Sequence, residues 1–328
     1  MKIIFLLLAA VFLFAKDDAC NFTDKNYEDI CNKVVSEGVS YEYANAFLNS
    51  EPKTQKFDEV SFELMQPKQI EVHKQNEKKA NNTLVKYIPQ IVAHLKEYSA
   101  VYDHAESIYS VNREVVASIL MKETRLGKIV PKHDAFIVFN TLVIKTEPNS
   151  PREKWLITMG KSNMVSIIKY CYEKGITPEE CNLPSSYAGA IGIPQFMPNN
   201  LSFAQGYQKE IPDVTTMEDA ILSASNFLNK RAEFNELIKW QNMPDIADIE
   251  SRWYDFEFEN ENASFVYATN KAGNKTYNCF SCEYQELNYL REYTKKIMSY
   301  NNSSNYAIGV MRLAYEANKL LREELASR

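Results

Sequence analysis

Glycine is scarce in this chain, and the scarcity constrains the fold more than any other feature. Nine of 328 residues are glycine, about 3% against a usual value of roughly 7%. Apolar residues make up 45% of the chain and recur at helical spacing over long runs. A chain of this length can bury a large core and divide into two or three lobes. We therefore predict a mainly α-helical protein.

The N-terminus has the pattern of a secretion signal. A lysine at position 2 precedes an apolar stretch, 3–14, that is too short to span a bilayer, and Ala15 offers a small residue for cleavage. A lipid anchor on Cys20 is the alternative, but two aspartates stand where a lipobox requires apolar and small residues. We predict a signal peptide over 1–15 and a soluble, periplasmic mature protein without a transmembrane segment.

The net charge is −6, and the basic residues are scattered along the chain. Nucleic acids and anionic membranes are bound by clustered positive charge. The charge pattern therefore argues against both classes of partner.

The six cysteines fall into three pairs that are close in sequence: Cys20 with Cys31, Cys171 with Cys181, and Cys279 with Cys282. Six cysteines allow 15 connectivities, and we predict the local one. The "CFSC" run that contains the last pair could instead be half of a redox or zinc site. No second such run or histidine cluster accompanies it, which disfavours this alternative.

The pattern along the chain divides it into four parts after the signal. Residues 16–83 read as an N-terminal helical extension, although the polar run "KQIEVHKQNEKKANN" within it is a solvated helix or a linker. Residues 84–234 read as a helical core. In 235–290 alternating aromatic residues and a Gly-Asn turn signal predict short strands in an inserted α+β lobe, and helices resume over 291–328.

The run "SSYAGAIGIPQFMPNN" concentrates the rare glycines. Gly189 and Gly192 lie three residues apart, followed by Gln195 and Phe196. The run has the features of a ligand-binding loop, because the glycines free the backbone, Gln195 can donate and accept hydrogen bonds and Phe196 offers an apolar face. Alternatively, Ser186 and Gln195 only satisfy the backbone of a turn.

A second run, "NREVVASILMKETRLGK", places a carboxylate on an apolar helix face. Asn112 is a plausible N-cap and Gly127 a plausible stop. Glu123 continues the apolar stripe formed by Val116, Ile119 and Leu120. Burial should raise the pKa of Glu123 into the range of a general acid. The alternative is a rim glutamate that pairs with Lys122 or Arg125.

Five runs occur in an order that identifies a family: "KETRLGK", "VFNTL", "SPREKWL", "SSYAGAIGIPQFMPNN" and "YNNSSNYAIGVMRLA". Together they resemble the lytic murein transglycosylases of the membrane-bound lytic transglycosylase B type, over residues 98–317. The resemblance implies a goose-type lysozyme-like helical core, an inserted and partly β lobe, and the glycan strands of peptidoglycan as substrate. With such a substrate, the run over 185–200 is expected to be the floor of a glycan cleft, where Gly189 and Gly192 let a sugar approach the backbone. The polar stretch before residue 84 does not match the family clearly.

The resemblance also assigns roles to individual residues. Glu123 matches the single catalytic acid/base. The substrate-binding positions are matched by Ser186 at the reacting sugar, Gln195 and Phe196 along the cleft, Tyr300, Asn301 and Tyr306 facing Glu123, and Arg152 near the peptide stems. Some members carry a calcium loop after the Gln-Phe-Met-Pro run, but "AQGYQKEIPDVTTMED" lacks its alternating aspartates. We therefore expect no metal and no cofactor.

The number of catalytic carboxylates indicates the type of reaction. Ordinary glycosidases use two, whereas the matched motifs supply only Glu123. This predicts cleavage of the MurNAc-GlcNAc bond with formation of 1,6-anhydro-MurNAc. Two alternatives stay open, a hydrolytic muramidase with Asp134 as the nearest second acid, and a non-catalytic peptidoglycan-binding protein.

Overall fold

Helices make up most of the chain, which confirms the mainly α prediction. The computed structural model describes residues 20–253, 256–258, 268–270, 275–276 and 287–327. The helices over these residues are α1 Lys25–Ser36, α2 Tyr41–Leu48, α3 Glu51–Thr54, α4 Glu59–Met65, α5 Ile70–Leu84, α6 Ile88–Glu97, α7 Ser99–Tyr109, α8 Arg113–Thr124, α9 Ala135–Lys145, α10 Pro151–Glu173, α11 Met217–Ala232, α12 Ile246–Trp253, α13 Leu287–Met298 and α14 Ser304–Ala326.

The described residues also contain two small antiparallel sheets. Strands β1 (His133–Asp134) and β2 (Pro184–Ser185) pair, with His133 opposite Ser185. Strands β3 Phe256–Phe258, β4 Ala268–Asn270 and β5 Lys275–Thr276 form a meander within the inserted segment. The predicted signal peptide and the Cys279–Cys282 pair lie outside the described residues.

Side chains that accept backbone hydrogen bonds start many of the helices. The N-cap residues that do so are Asp24, Ser40, Asp58, Asp134, Ser150 and Ser303. Asn112 holds the N-cap position of α8 as predicted, but its side chain makes no cap bond. Its amide instead accepts from the backbone N–H of Ile238 at 2.6 Å, so it links α8 to the segment after α11.

Among the described residues, the buried side chains form two clusters. The larger one gathers α6, α7, α8, α11, α13 and α14, with Ile119 and Leu120 of α8 fully buried at its centre. The smaller one joins α1 and α2 to α9 and α10 through residues such as Phe47 and Phe136. The N-terminal extension is therefore packed onto the core, and its polar run is the helix α5, which packs on α14.

Two disulfides form between cysteines close in sequence, as predicted. Cys20 pairs with Cys31, and Cys171 pairs with Cys181. The second bridge ties the end of α10 to the segment that leads into β2. None of the described helices is both long and apolar enough to cross a membrane.

Candidate active site

The end of α8 has an unusual backbone that presents Glu123. Arg125, Leu126 and Gly127 follow the helix with φ of 50°, 56° and 76°, a left-handed conformation that costs free energy for side chains other than glycine. Thr124 stabilises this turn because its hydroxyl accepts from the N–H of Gly127 and donates to the carbonyl of Ile193, both at 3.0 Å. The turn therefore locks the last residues of α8 to the glycine-containing loop.

Glu123 is half-buried and hydrogen-bonded. The hydroxyl of Tyr306, in the first turn of α14, donates to Glu123 Oε1 at 2.6 Å. Burial raises the pKa of Glu123 from 4.5 to about 7, although the Tyr306 hydrogen bond and the charge of Lys122 both act to lower it. The carboxyl group is therefore poised to lose and regain a proton near neutral pH.

The loop over 185–200 is folded by its own backbone and side chains. Ser186 and Ala190 exchange hydrogen bonds, with the Ser186 N–H donating to the Ala190 carbonyl at 2.8 Å and the Ala190 N–H donating to Ser186 Oγ at 3.2 Å. Gln195 has a φ of 52° and donates its amide to the Gly192 carbonyl at 2.8 Å. Both Ser186 and Gln195 keep part of their side chains exposed.

The two glycines of this loop face the protein interior, which corrects the expectation that they leave room for a sugar. A Cβ on Gly189 would lie 2.3 Å from the ring of Phe139 in α9, and one on Gly192 would lie 2.6 Å from Val214. Both also have positive φ. Their physical role is to let the loop lie flat on α9 and on the segment before α11.

Phe196 also lies differently from the expectation. Its ring is 2% exposed and packs between Phe227 and Tyr300, with ring centroids 5.5 and 6.0 Å away. The hydroxyl of Tyr300 donates to the Pro194 carbonyl. Phe196 and Tyr300 thus anchor the loop to α11 and to the segment before α14. Burial of these aromatic rings stabilises the folded loop.

The two other predicted residues lie in separate places. Asn301 lies in the turn between α13 and α14, five residues before Tyr306. Its carbonyl accepts a hydrogen bond from the N–H of Ser303 at 2.7 Å. Arg152 lies exposed in the first turn of α10. Its guanidinium stacks over the ring of Trp155, 4.2 Å from the ring centroid.

Sequence reasoning missed a second carboxylate beside Glu123. Glu77 of α5 accepts a hydrogen bond from Ser303 Oγ, and its charge acts on Glu123. Asn81, one turn later, accepts from Lys122. The signal in the sequence is the spacing of four residues between these side chains, which puts them on one face of α5, but this polar helix has no apolar stripe to identify that face.

One buried carboxylate, Asp219, binds several groups of the segment between the loop and α11. Asp219 accepts the N–H groups of Tyr207 and Asp213 at 2.8 and 2.6 Å and pairs with Lys209 at 2.9 Å. In this way it holds Val214, whose carbonyl accepts from the N–H of Ile193 at 2.8 Å. Among the described residues no group of three or more His, Cys, Asp or Glu side chains is arranged to hold a metal ion.

Asp134, the nearest second acid in sequence to Glu123, is occupied elsewhere. It caps α9 by accepting from the N–H groups of Phe136 and Ile137. Its other oxygen pairs with the buried ammonium of Lys53 at 3.0 Å. Since both oxygens are bound, Asp134 is a structural cap, which removes the expected candidate for a water-activating base.

Comparison with known proteins identifies the family. The sequence model of the family described as "Transglycosylase SLT domain" matches residues 23–315, so the match includes the extension that the motifs alone leave out. No curated protein sequence matches the chain.

The fold is similar to solved structures. The Escherichia coli lytic transglycosylase Slt35 in complex with bulgecin A is 18% identical, with 92% of this chain and 94% of that chain covered and a TM-score of 0.62. SltB3 from Pseudomonas aeruginosa in complex with NAG-anhNAM-pentapeptide is 15% identical, with 88% and 77% covered and a TM-score of 0.55. At such identities the likeness shows the fold alone.

Proposed function

Because the chain belongs to the transglycosylase SLT domain family, we propose that it is a lytic transglycosylase that cleaves the MurNAc-GlcNAc bond of peptidoglycan and forms 1,6-anhydro-MurNAc. The observation that carries the proposal is Glu123, a half-buried carboxyl group with a pKa of about 7, hydrogen-bonded to Tyr306. General acid–base catalysis needs a group with a pKa near the operating pH.

Glu123 serves both halves of the reaction. Its proton passes to the glycosidic oxygen as the bond from that oxygen to C1 of MurNAc breaks. The resulting carboxylate then takes the proton of the C6 hydroxyl of the same sugar while O6 forms a bond to C1. Glu123 ends protonated, the anhydro ring closes, and no water molecule is consumed.

Tyr306 helps Glu123 work in both protonation states. Its hydroxyl donates to the carboxyl oxygen at 2.6 Å, and such a bond is stronger when the acceptor is ionised. It therefore stabilises the carboxylate formed after the first proton transfer. Burial favours the protonated form, and the two effects keep both forms accessible.

The partly exposed polar side chains near Glu123 supply the substrate contacts in this proposal. Ser186 and Gln195 on the loop and Asn301 before α14 are half-buried and can bind hydroxyl or N-acetyl groups. The exposed pair of Arg152 and Trp155 suits the charged peptide stems. SltB3 from Pseudomonas aeruginosa has been solved with NAG-NAM-pentapeptide, which supports a substrate of this class.

The cellular location follows from the same proposal. Peptidoglycan lies outside the cytoplasmic membrane, and disulfides such as Cys20–Cys31 and Cys171–Cys181 persist in oxidising compartments. Together with the predicted signal peptide over 1–15, these features support the proposal that the enzyme is exported to the periplasm.

A hydrolytic muramidase is the second candidate, and Glu77 is the observation that favours it. A hydrolase needs a second carboxylate to activate water or to act as nucleophile. Glu77 is a carboxylate close enough to Glu123 for the two charges to act on each other. The two reactions differ in product, because hydrolysis leaves a reducing end and the proposed reaction leaves an anhydro end.

The experiment for this proposal compares two carboxylates of α8. Glu123→Gln keeps the shape but removes the transferable proton, so release of fragments from purified sacculi should fall at least roughly 10²–10⁴-fold. Glu114→Gln is the control, because Glu114 is a buried carboxylate of the same helix that binds Asn318 instead. Near-normal turnover of Glu123→Gln would refute the proposal. Wild-type protein that binds sacculi without releasing fragments would indicate a non-catalytic binding protein.

A further inference from the structure

One face of α5, in the N-terminal extension, lies against the site. His73, Glu77 and Asn81 recur every four residues and so share this face. The His73 ring stacks on Tyr187, next to Ser186, with the ring centroids 5.8 Å apart and the planes at 13°. The face therefore runs from the glycine-containing loop to the first turn of α14.

Glu77 reaches the turn that presents Tyr306. Its carboxylate accepts from Ser303 Oγ. The same Ser303 oxygen caps α14 by accepting from the N–H of Tyr306 at 3.2 Å. Because the Ser303 proton is directed to Glu77, an oxygen lone pair stays directed to Tyr306. The carboxylate thus fixes the cap from which Tyr306 extends to Glu123.

Asn81 holds the same turn one helical turn further along α5. Its amide donates to the carbonyl of Asn305 at 2.7 Å and its oxygen accepts from Lys122, the neighbour of Glu123. A Cβ at Gly309 would lie 2.1 Å from the Asn81 oxygen, so only glycine permits this approach of α5 to α14. The close contact between α5 and α14 at Gly309 therefore fixes the position of Glu77.

The surroundings of Glu77 contain several charged and titratable groups. Burial raises the pKa of Glu77, while the Ser303 hydrogen bond, Lys122 and His73 act to lower it. In return its negative charge favours the protonated form of Glu123. The titratable groups that interact with Glu77 are His73 on the same helix, Lys122 and Glu123 of α8, Tyr187 of the loop and Tyr306 of α14. Lys122 also interacts with Glu250 of α12.

We propose that Glu77 is a positioning residue of the active site, which holds the Ser303 cap under Tyr306 and so fixes the hydrogen bond from Tyr306 to Glu123. The negative charge of Glu77 adds to this role, because it favours the protonated form of Glu123. The inference rests on the proposed function of Glu123. It makes the N-terminal extension a part of the catalytic unit. Glu77 acts here through Glu123, not on a water molecule, because one of its oxygens is already bound to Ser303 and its charge is shared with Lys122.

The test is the pH profile of fragment release from purified sacculi by three variants. Glu77→Gln can still accept from Ser303 but carries no charge, so the alkaline limb of the profile should move to lower pH, by on the order of half a unit or more. Glu77→Asp keeps the charge and should leave that limb near the wild-type position, with a lower maximal rate. Glu71→Gln, an exposed glutamate on the same helix, is the control and should match wild type.

An alkaline limb of Glu77→Gln that coincides with those of wild type and Glu71→Gln would overturn the inference. A Glu77→Gln variant that loses reducing-end products would assign Glu77 to water activation and would also overturn it. Glu123→Gln, measured in parallel, distinguishes a failure of the Glu77 inference from a failure of the proposed function. If it is inactive at every pH while Glu77→Gln matches wild type, only the role of Glu77 is wrong, whereas an active Glu123→Gln refutes the proposed function itself.

Discussion

At the scale of single residues, the proton on Glu123 is set by opposing neighbours. Burial and the charge of Glu77 favour the protonated acid, while Tyr306 and Lys122 favour the carboxylate. A pKa of about 7 results because burial has the largest effect. The same balance affects stability, since a group that is harder to ionise in the folded state penalises folding once the unfolded chain has ionised.

Glu123→Gln should therefore be more stable than wild type, by an amount that grows with pH. With a pKa of 4.5 in the unfolded chain and about 7 in the folded protein, wild type loses stability between these values, up to about 3 kcal/mol. The difference in melting temperature between Glu123→Gln and wild type should thus widen from pH 5 to pH 7.5. The exposed Glu97→Gln serves as control, and a difference that stays constant with pH would contradict the buried, protonated Glu123.

The sequence predicted the raised pKa of Glu123 correctly, but it misplaced Phe196, which is buried. Glu123 could be found because it interrupts an apolar stripe with a carboxylate. Phe196 could not be placed, because an aromatic ring after two glycines suits a sugar platform and a buried anchor equally well. Glu77 was missed because its partners Ser303 and Lys122 are brought to it only by the packing of α5 on α14 and α8.

At the scale of elements, the Cys171–Cys181 bridge connects stability to the loop. The bridge closes ten residues and ends four residues before Ser185, which pairs with His133. Replacing both cysteines with serine should lower stability by roughly 2–4 kcal/mol and lower activity as well, measured by thermal melting and fragment release.

The matched control for this bridge is the Cys20→Ser/Cys31→Ser variant. That bridge joins the start of the described chain to α1, within the smaller core, so it should lower the melting temperature with less effect on activity. Equal losses of activity in the two double variants would contradict a specific link between the Cys171–Cys181 bridge and the loop.

The segment before α11 leads to a prediction about metals. Asp219 is 1% exposed, and its charge is met by Lys209 and two backbone N–H groups. Because the protein supplies its own cation there, EDTA should leave both the melting temperature and the activity unchanged. A loss on chelation that Ca²⁺ restores would show that the segment needs a metal.

At the scale of the whole molecule, the helices of the extension could be predicted, but the contacts of α5 with the candidate site could not. Its caps and apolar spacing are local signals, and helices such as α1 and α2 follow from them. The docking of α5 depends on polar contacts with residues more than 200 positions away, Ser303 and Asn305, which no local pattern encodes. The family match over 23–315 is consistent with the extension being integral.

The central claim is that one carboxyl group, Glu123, closes an anhydro ring without water, and the mass of the released fragments tests it most directly. Purified sacculi should be digested with wild-type protein, and the products analysed by mass spectrometry in H₂¹⁸O. The account predicts muropeptides that end in 1,6-anhydro-MurNAc, one water lighter than hydrolytic products and free of ¹⁸O at C1. Fragments that end mainly in reducing MurNAc labelled with ¹⁸O would contradict it.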